Sequence, residues 1–147
     1  MNRELALKKL NKAINEAPEK IFAISETEFS RKPRPEKWSK KEILGHLIDS
    51  AFNNHQRFVR GQFEDSPQIG YDQDNWNKFS FHQKMDSTQL INFWTEFNKH
   101  MSEVISHIPE SELSRTVVVG DDELTLEFLI TDYVAHMEYH LKQIIDY

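Results

Sequence analysis

Four long segments of the chain carry apolar residues at intervals of three, four and seven residues. This spacing places the apolar side chains on one face of an α-helix, which predicts four amphipathic helices. We expect these helices at about residues 2–25, 40–61, 87–108 and 126–146. A helix of about 20 residues is about 30 Å long, and four of them can pack as a four-helix bundle. The sequence therefore predicts an all-α fold with residues 1–147 as a single domain.

The connections between these helices carry different signals. Pro18 lies inside the first helix and predicts a kink or a restart there. Residues 28–37 contain two prolines and are expected to form a surface connection. Residues 62–81, after the second helix, form a long connection whose aromatic residues indicate an ordered loop. The β-branched run and the Gly-Asp-Asp within residues 115–126 predict a small β-hairpin or an extended arm before the fourth helix.

Composition limits the classes of partner. The net charge of −6 argues against nucleic acid, because phosphate binding needs a basic surface. The chain has no cysteine, so disulfides, thiolate metal ligands and a catalytic thiol are excluded. No apolar run has the length of a membrane span, and the first residues lack the apolar stretch of a secretion signal. We therefore expect a cytoplasmic protein that does not associate with a membrane.

Three histidines form a candidate metal site. His136 and His140 lie four residues apart on the fourth predicted helix, so they share one face, about 5–6 Å apart at Cβ. Such a pair also occurs in ordinary core packing, but His46 borders the apolar face of the second helix and supplies a third imidazole. Bundles build metal sites from facing helices, and three imidazoles leave an open coordination position. We expect one divalent ion, zinc first, with nickel or iron as alternatives.

Other polar residues near these histidines are candidates for supporting roles. Asp132 precedes His136 by one turn, and Gln143 extends the same face, so either side chain can orient an imidazole. A mostly polar stripe beside the apolar face of the second helix either faces solvent or lines an internal site. The candidates for catalysis are Asp49, Tyr71 and Asp72, and those for substrate binding are Asn53, Arg57 and Tyr71. The remaining histidines are expected at the surface or in the core: His55, His82, His100 and His107.

Several of these residues stand in short motifs. They are Trp38-Ser39, Glu-Ile-Leu-Gly-His-Leu-Ile-Asp-Ser at 42–50, Asn53, Arg57-Phe58, Tyr71-Asp72 with Trp76, and His-Met-Glu-Tyr-His-Leu-Lys-Gln-Ile at 136–144. With these motifs the sequence resembles the DinB-like or YfiT-like metal-binding four-helix bundles along nearly the whole chain. The resemblance implies an up-down-down-up bundle, a single divalent ion on the three histidines and, in many relatives, a homodimer. It also implies either transfer of a low-molecular-weight thiol such as bacillithiol or mycothiol, or metal-dependent hydrolysis.

Three functions follow as alternatives. The first is a metal-dependent thiol S-transferase, in which the thiol is a small-molecule cosubstrate because the chain has no cysteine. The second is a hydrolase that uses metal-bound water, although the His-x-x-x-His motif lacks the glutamate of a metalloprotease. The third is a non-catalytic bundle in which the metal serves stability or sensing. We expect the loop at 62–81 to cover the metal with Tyr71 or Asp72, or to place Trp76 in a dimer contact.

Overall fold

Four long helices and several short elements follow one another along the chain. The computed structural model describes residues 1–147. In chain order the elements are α1 (Arg3–Phe22), α2 (Glu26–Ser30), α3 (Lys40–Arg60), α4 (Gln73–Ser80), α5 (Ser87–His107), β1 (Thr116–Val119), β2 (Asp122–Thr125) and α6 (Leu126–Ile144). Single 3-10 turns precede and follow α5, at His82–Lys84 and Glu110–Glu112. No helix combines the length and the apolar character needed to cross a bilayer.

The contacts of α1 fix half of the bundle topology. α1 packs against α5 and α6. Lys9 contacts Glu138 and Lys20 reaches the carbonyl of Asp146, so α1 and α6 run in the same direction. Arg3, at the start of α1, hydrogen-bonds to the backbone just beyond α5, so α1 and α5 run in opposite directions.

The contacts of α3 fix the other half. α3 packs against α5 and α6, which places it diagonally opposite α1. His46 near the start of α3 lies beside His140 near the end of α6. The end of α3 at Gly61 meets the start of α6 at Leu126, so these two helices are antiparallel. The long helices therefore run up, down, down and up, which confirms the expected four-helix bundle.

Local signals explain where α3 begins. The Ser39 side chain accepts a hydrogen bond from the Glu42 backbone, and the Glu42 side chain accepts one from Ser39, which completes a capping box. By contrast, the restart expected as one outcome at Pro18 does not occur, because α1 continues through this residue to Phe22. Proline removes only one helical hydrogen bond, and the buried Ala17 and Ile21 on either side hold the helix against the core.

Two of the predicted connections contain helices. The surface connection at 28–37 begins within α2, whose N-cap is Ser25, and the loop at 62–81 contains α4. Both helices are short, so their apolar residues cannot establish a helical period in the sequence. The β-hairpin is confirmed, with Gly120 at φ +62° in its turn. A single bridge from Gln68 to Val118 ties the long connection to β1.

Candidate metal centre

The three predicted histidines converge between α3 and α6. His46 Nε2 lies 3.0 Å from His136 Nε2, and one nitrogen from each of the three rings lies within 4.8 Å of the others. Bonds of about 2.0–2.1 Å in a tetrahedral site separate the ligand atoms by about 3.3–3.4 Å. Small rotations of the side chains would therefore direct all three nitrogens to one ion. We refer to His46, His136 and His140 as the histidine cluster.

The protonation state of the cluster suits a metal cation. His46 is 1% exposed, and burial, reinforced by the neighbouring imidazoles, lowers its pKa to about 3. Burial also lowers the pKa of His136, against a small opposing effect from Asp132. Both imidazoles are therefore neutral at pH 7 and keep the lone pairs that a metal requires. The nitrogen of His46 that faces the cluster is Nε2, and its Nδ1 atom is buried without a hydrogen-bond partner.

The two residues predicted to orient the rings behave differently. The Gln143 side-chain oxygen lies 2.8 Å from His140 Nδ1. An amide oxygen can only accept, so this bond places the proton on Nδ1 and leaves Nε2 free for a metal. Asp132 makes no hydrogen bond to His136, although its charge acts on the pKa of that ring. The structure thus gives a geometric basis for Gln143 and only an electrostatic one for Asp132.

An open cavity of about 650 Å³ borders the cluster at His140. We call it the outer cavity; its lining residues are Pro33, Arg34, Glu36, Lys37, Trp38, Ile43, Asp74, His140 and Gln143. The Trp38 ring lies 5.0 Å from the His46 ring and forms part of this wall. The connection at 28–37 therefore shapes the entrance to the cluster, which its sequence did not indicate.

A smaller cavity of about 100 Å³ borders the cluster at His136. We call it the inner cavity; its lining residues are Ser50, Asn54, Arg57, Tyr71, Asp132, Tyr133 and His136. Arg57 and Tyr71 were predicted binding residues, and the structure brings them together here. Asn53, also predicted, instead donates to the Asp49 carbonyl within α3, while the neighbouring Asn54 accepts from Arg57 in the cavity.

Asp49 is paired with a histidine that sequence reasoning assigned to packing. Both carboxylate oxygens of Asp49 lie 3.1 Å from His82 Nε2, and both side chains are buried. The His82 ring passes so close to Gly45 that a Cβ there would lie 2.2 Å from the ring. Glycine inside a helix is unfavourable, so Gly45 was the one sequence signal that a side chain crosses α3 at this point. Asp49 is therefore held by His82 and does not face the cluster freely.

The other candidate carboxylate of the long connection has a structural role. Asp72 is exposed and caps α4, accepting hydrogen bonds from the backbone and side chain of Asn75. Asp72 thus differs in its contacts from Tyr71, the adjacent residue that lines the inner cavity. Trp76 packs against Tyr71 and Phe52 and is only half-buried.

The remaining histidines stay outside the cluster. His55 and His100 lie side by side at the surface between α3 and α5, with ring centroids 5.3 Å apart. His107 is exposed at the end of α5. These three positions agree with the expectation from the sequence.

A four-helix bundle with three histidines directed inward from two facing helices is the architecture of a metal-binding bundle. Comparison of the sequence with protein families gives the same class: residues 9–144 match the DinB superfamily. The chain belongs to the DinB superfamily.

Individual relatives are distant in sequence. YfiT of Bacillus subtilis (strain 168), named as a candidate metal-dependent hydrolase, is 23% identical over 112 residues. That match covers 74% of this chain and 63% of YfiT. Another protein named in the same way, from Halalkalibacterium halodurans, is 23% identical over 141 residues, or 90% of this chain and 81% of the relative.

Solved structures share the fold. The YfiT structure, described as an unusual four-helix bundle, has a TM-score of 0.87 at 19% identity and covers 97% of this chain and 83% of its own. A mycothiol-dependent maleylpyruvate isomerase has a TM-score of 0.80 at 10% identity. This chain is covered to 98% in that comparison but spans only 61% of the isomerase, which is a longer protein. At these identities the likeness establishes the fold alone.

Proposed function

We propose that this protein is a metal-dependent transferase that activates a low-molecular-weight thiol. The observation that carries the proposal is the histidine cluster, which offers three imidazoles and opens onto cavities on both sides. When bound there, a divalent ion would lower the pKa of a coordinated thiol or water molecule and supply a nucleophile at neutral pH. The chain has no cysteine, so the thiol must come from a cosubstrate.

Residues around the cluster would orient the imidazoles and enclose the cosubstrate. Gln143 holds the His140 ring with Nε2 directed inward, and Trp38 covers His46. The outer cavity has room for a cosubstrate far larger than water. The wall of this cavity carries two basic side chains, Arg34 and Lys37, and two acidic ones, Glu36 and Asp74, so its charge does not select the cosubstrate. The mycothiol dependence of one structural neighbour agrees with this choice of cosubstrate.

Three carboxylates of this region are held in structural contacts, which bears on whether water could be the nucleophile. Attack by water benefits from a nearby general base, whereas a thiol on a metal ion is already ionised. Asp49 is paired with His82, Asp72 caps α4, and Glu138 contacts Lys9 on α1. None of the three is available as a base at the cluster, whereas Glu36 and Asp74 line the outer cavity and Asp132 lines the inner one.

Hydrolysis is the second candidate, and one observation favours it. Asp132 is exposed, makes no ion pair and lines the inner cavity beside His136, so it could accept a proton from water. The names of YfiT and its relatives agree with this alternative. A site that serves only stability or sensing is less well supported, because a structural zinc site is normally closed by a fourth protein ligand, and the cluster has three.

The test compares activities of the metal-loaded protein. Bacillithiol, glutathione and coenzyme A are each supplied with monochlorobimane, and p-nitrophenyl acetate is supplied without thiol. We expect thiol transfer by the native protein, loss of it in His140→Ala, and full activity in the control His107→Ala, whose ring is exposed and distant from the cluster. Hydrolysis of p-nitrophenyl acetate that depends on Asp132 would instead favour the second candidate function, a hydrolase. Absence of both activities at full metal occupancy would contradict a catalytic role.

A further inference from the structure

Arg57 differs from every other arginine of the chain. The sequence has six arginines, and five of them lie within 4.0 Å of a carboxylate. Arg57 has no such partner, yet it is the most deeply buried of the six, at 8% exposed. A buried charge is costly unless it is paired, so an unpaired buried cation indicates that its partner is a ligand.

The hydrogen bonds of Arg57 leave part of its guanidinium free. Nε donates to the Ile69 carbonyl at 2.9 Å, and Nη1 donates to the Asn54 side chain at 3.2 Å. A guanidinium has five N–H groups, so three remain without a protein acceptor, including both on Nη2. The two bonds that are made fix the plane of the group, and the free N–H groups belong to a side chain that lines the inner cavity.

Tyr71 provides a second polar group in the same cavity. Its ring lies against Arg57, with the guanidinium carbon 6.0 Å from the ring centroid. Burial raises the pKa of Tyr71, so the hydroxyl keeps its proton and can donate. Because the inner cavity is only about 100 Å³, a group that fills it lies close to Arg57, Tyr71 and His136 together.

The charge around the cavity selects the kind of anion. Arg57 is the only cationic side chain of the lining, and Asp132 contributes a negative charge on the same wall. Asp132 repels any anion in the cavity, and it repels a dianion such as phosphate more strongly than a monoanion. A carboxylate also matches the planar fork of a guanidinium, which binds it through two parallel hydrogen bonds.

We propose that the inner cavity is a subsite for a carboxylate of the substrate, bound by Arg57 with Tyr71 as a second donor, beside the histidine cluster. This inference rests on the proposed function, because it names a substrate class for the same site. The carboxylate can belong to the thiol or to its electrophilic acceptor, and the two sources are separable by experiment.

Binding is tested first on metal-free protein, where no catalysis occurs. Acetate is titrated at constant ionic strength, and the Nε–H resonance of Arg57, identified by its loss in Arg57→Lys, is followed by ¹⁵N NMR. We expect a saturable shift with acetate and none with the neutral isostere acetamide. Arg60→Gln, three residues further along α3 and paired with Glu64, should leave the titration unchanged. Equal responses to acetate and acetamide, or no response to acetate, would overturn the subsite.

Kinetics then identify the source of the carboxylate. In one series the acceptor is chloroacetate or chloroacetamide; the thiol sulfur bonds to the methylene carbon, chloride leaves, and the thiol proton passes to solvent. In the other series the thiol is mercaptoacetate or mercaptoacetamide with monochlorobimane as acceptor. We expect Arg57→Gln to lower kcat/KM about tenfold or more, mainly through KM, for the acid of one series but not for its amide. A tenfold change corresponds to about 1.4 kcal/mol.

Two further variants distinguish a binding role of Arg57 from a structural role. Arg57→Gln also removes the hydrogen bond to Ile69 and could disturb the long connection, so Tyr71→Phe and Arg57→Lys are measured beside it. Selective loss on the acid in Tyr71→Phe, and partial retention in Arg57→Lys, would support the subsite. Equal losses on acid and amide would reveal a purely structural role for Arg57 and overturn it. Acetate binding without any thiol transfer would leave the subsite standing and refute only the proposed function.

Discussion

The α1 and α3 helices are of similar length and lie at opposite corners of the bundle, but they bury different residues. The buried positions of α1 are all apolar: Ala6, Leu10, Ala13, Ile14, Ala17 and Ile21. α3 also buries apolar residues, but with them it buries Lys41, His46, Asp49, Ser50, Asn53, Asn54 and Arg57. Both helices contact α5 and α6, but α3 is also covered by α2, α4 and the 3-10 turn at His82–Lys84, which bury part of its polar face.

This difference indicates that the buried residues of α1 serve stability, whereas some buried polar residues of α3 serve function. Buried polar groups cost free energy unless they are hydrogen-bonded, and a core gains nothing from them that apolar side chains would not supply. On α3 most of the buried polar groups have partners, such as His82 for Asp49. Arg57 keeps unpaired N–H groups and His46 directs Nε2 towards His136, and both side chains lie where α3 faces α6. The apolar contacts of α1 therefore stabilise the fold, and the polar side chains between α3 and α6 are the candidates for binding a ligand.

The largest effect should come from the histidine cluster. We expect His136→Ala to lose its divalent ion, because two imidazoles cannot replace three. Gln143→Ala removes a hydrogen bond to His140 and should lower the affinity for the metal about 10–100-fold. The loss of metal affinity in His136→Ala should be larger. Elemental analysis and chelator competition on untagged protein measure both. Full occupancy in His136→Ala would contradict the assignment of the cluster.

A substitution in the core of α1 should have the opposite pattern: it should lower stability and leave metal binding unchanged. Leu10 is fully buried there, and Leu10→Ala should lower the free energy of unfolding by about 2–5 kcal/mol through lost burial and a cavity. Metal stoichiometry of the folded protein should not change, because Leu10 contributes nothing to the cluster. Leu5→Ala, at an exposed position of the same helix, should stay within about 0.5 kcal/mol of the native protein. Denaturant titrations in the presence of chelator compare the variants. If Leu10→Ala abolished metal binding while folded, the separation between the two sides would fail.

The sequence was sufficient for the bundle and for the cluster but not for the cavities. Long apolar periods identify long helices, and spacings of four on one helix identify residues on the same face. The choice between Asn53 and Asn54 could not be made this way, since each lies three or four residues from both Ser50 and Arg57. The pairing of Asp49 with His82 and the isolation of Arg57 depend on contacts between distant segments, which periodicity does not reveal.

The pH dependence of the metal-free protein tests the burial of His46. Its pKa is about 3 in the folded state, against about 6.5 in an unfolded chain. Between these values the unfolded state binds more protons, so the free energy of unfolding should decrease as the pH falls from about 6.5 towards 3. The variant His46→Leu should show a smaller slope over this range in denaturant titrations with chelator present. Identical slopes would mean that His46 is not buried as a neutral imidazole.

The lowered pKa values also change the expected behaviour of the metal. An unperturbed imidazole would lose its metal as the pH falls through about 6.5. Because the pKa values of His46 and His136 are lowered, protons compete less well at these two rings, and the loss of affinity should occur at lower pH. Chelator competition between pH 5 and 8 (assay conditions) measures this. A fall in affinity centred at the unperturbed value would show that the cluster is more exposed to water than the structure indicates.

The smallest effects should distinguish two adjacent residues of the long connection. Asp72 caps α4 and Tyr71 lines the inner cavity, although the sequence made both candidates for catalysis. Asparagine caps helices as well as aspartate does, so Asp72→Asn should change neither metal content nor thiol-transfer rate, whereas Asp72→Ala should cost about 0.5–2 kcal/mol of stability. Tyr71→Phe should keep the metal and the fold but transfer thiol more slowly. A lower thiol-transfer rate in Asp72→Asn with unchanged stability would indicate that the Asp72 carboxylate takes part in catalysis. Unchanged rates in both variants, with altered self-association in Trp76→Ala, would instead assign the long connection to an interface between copies of the chain.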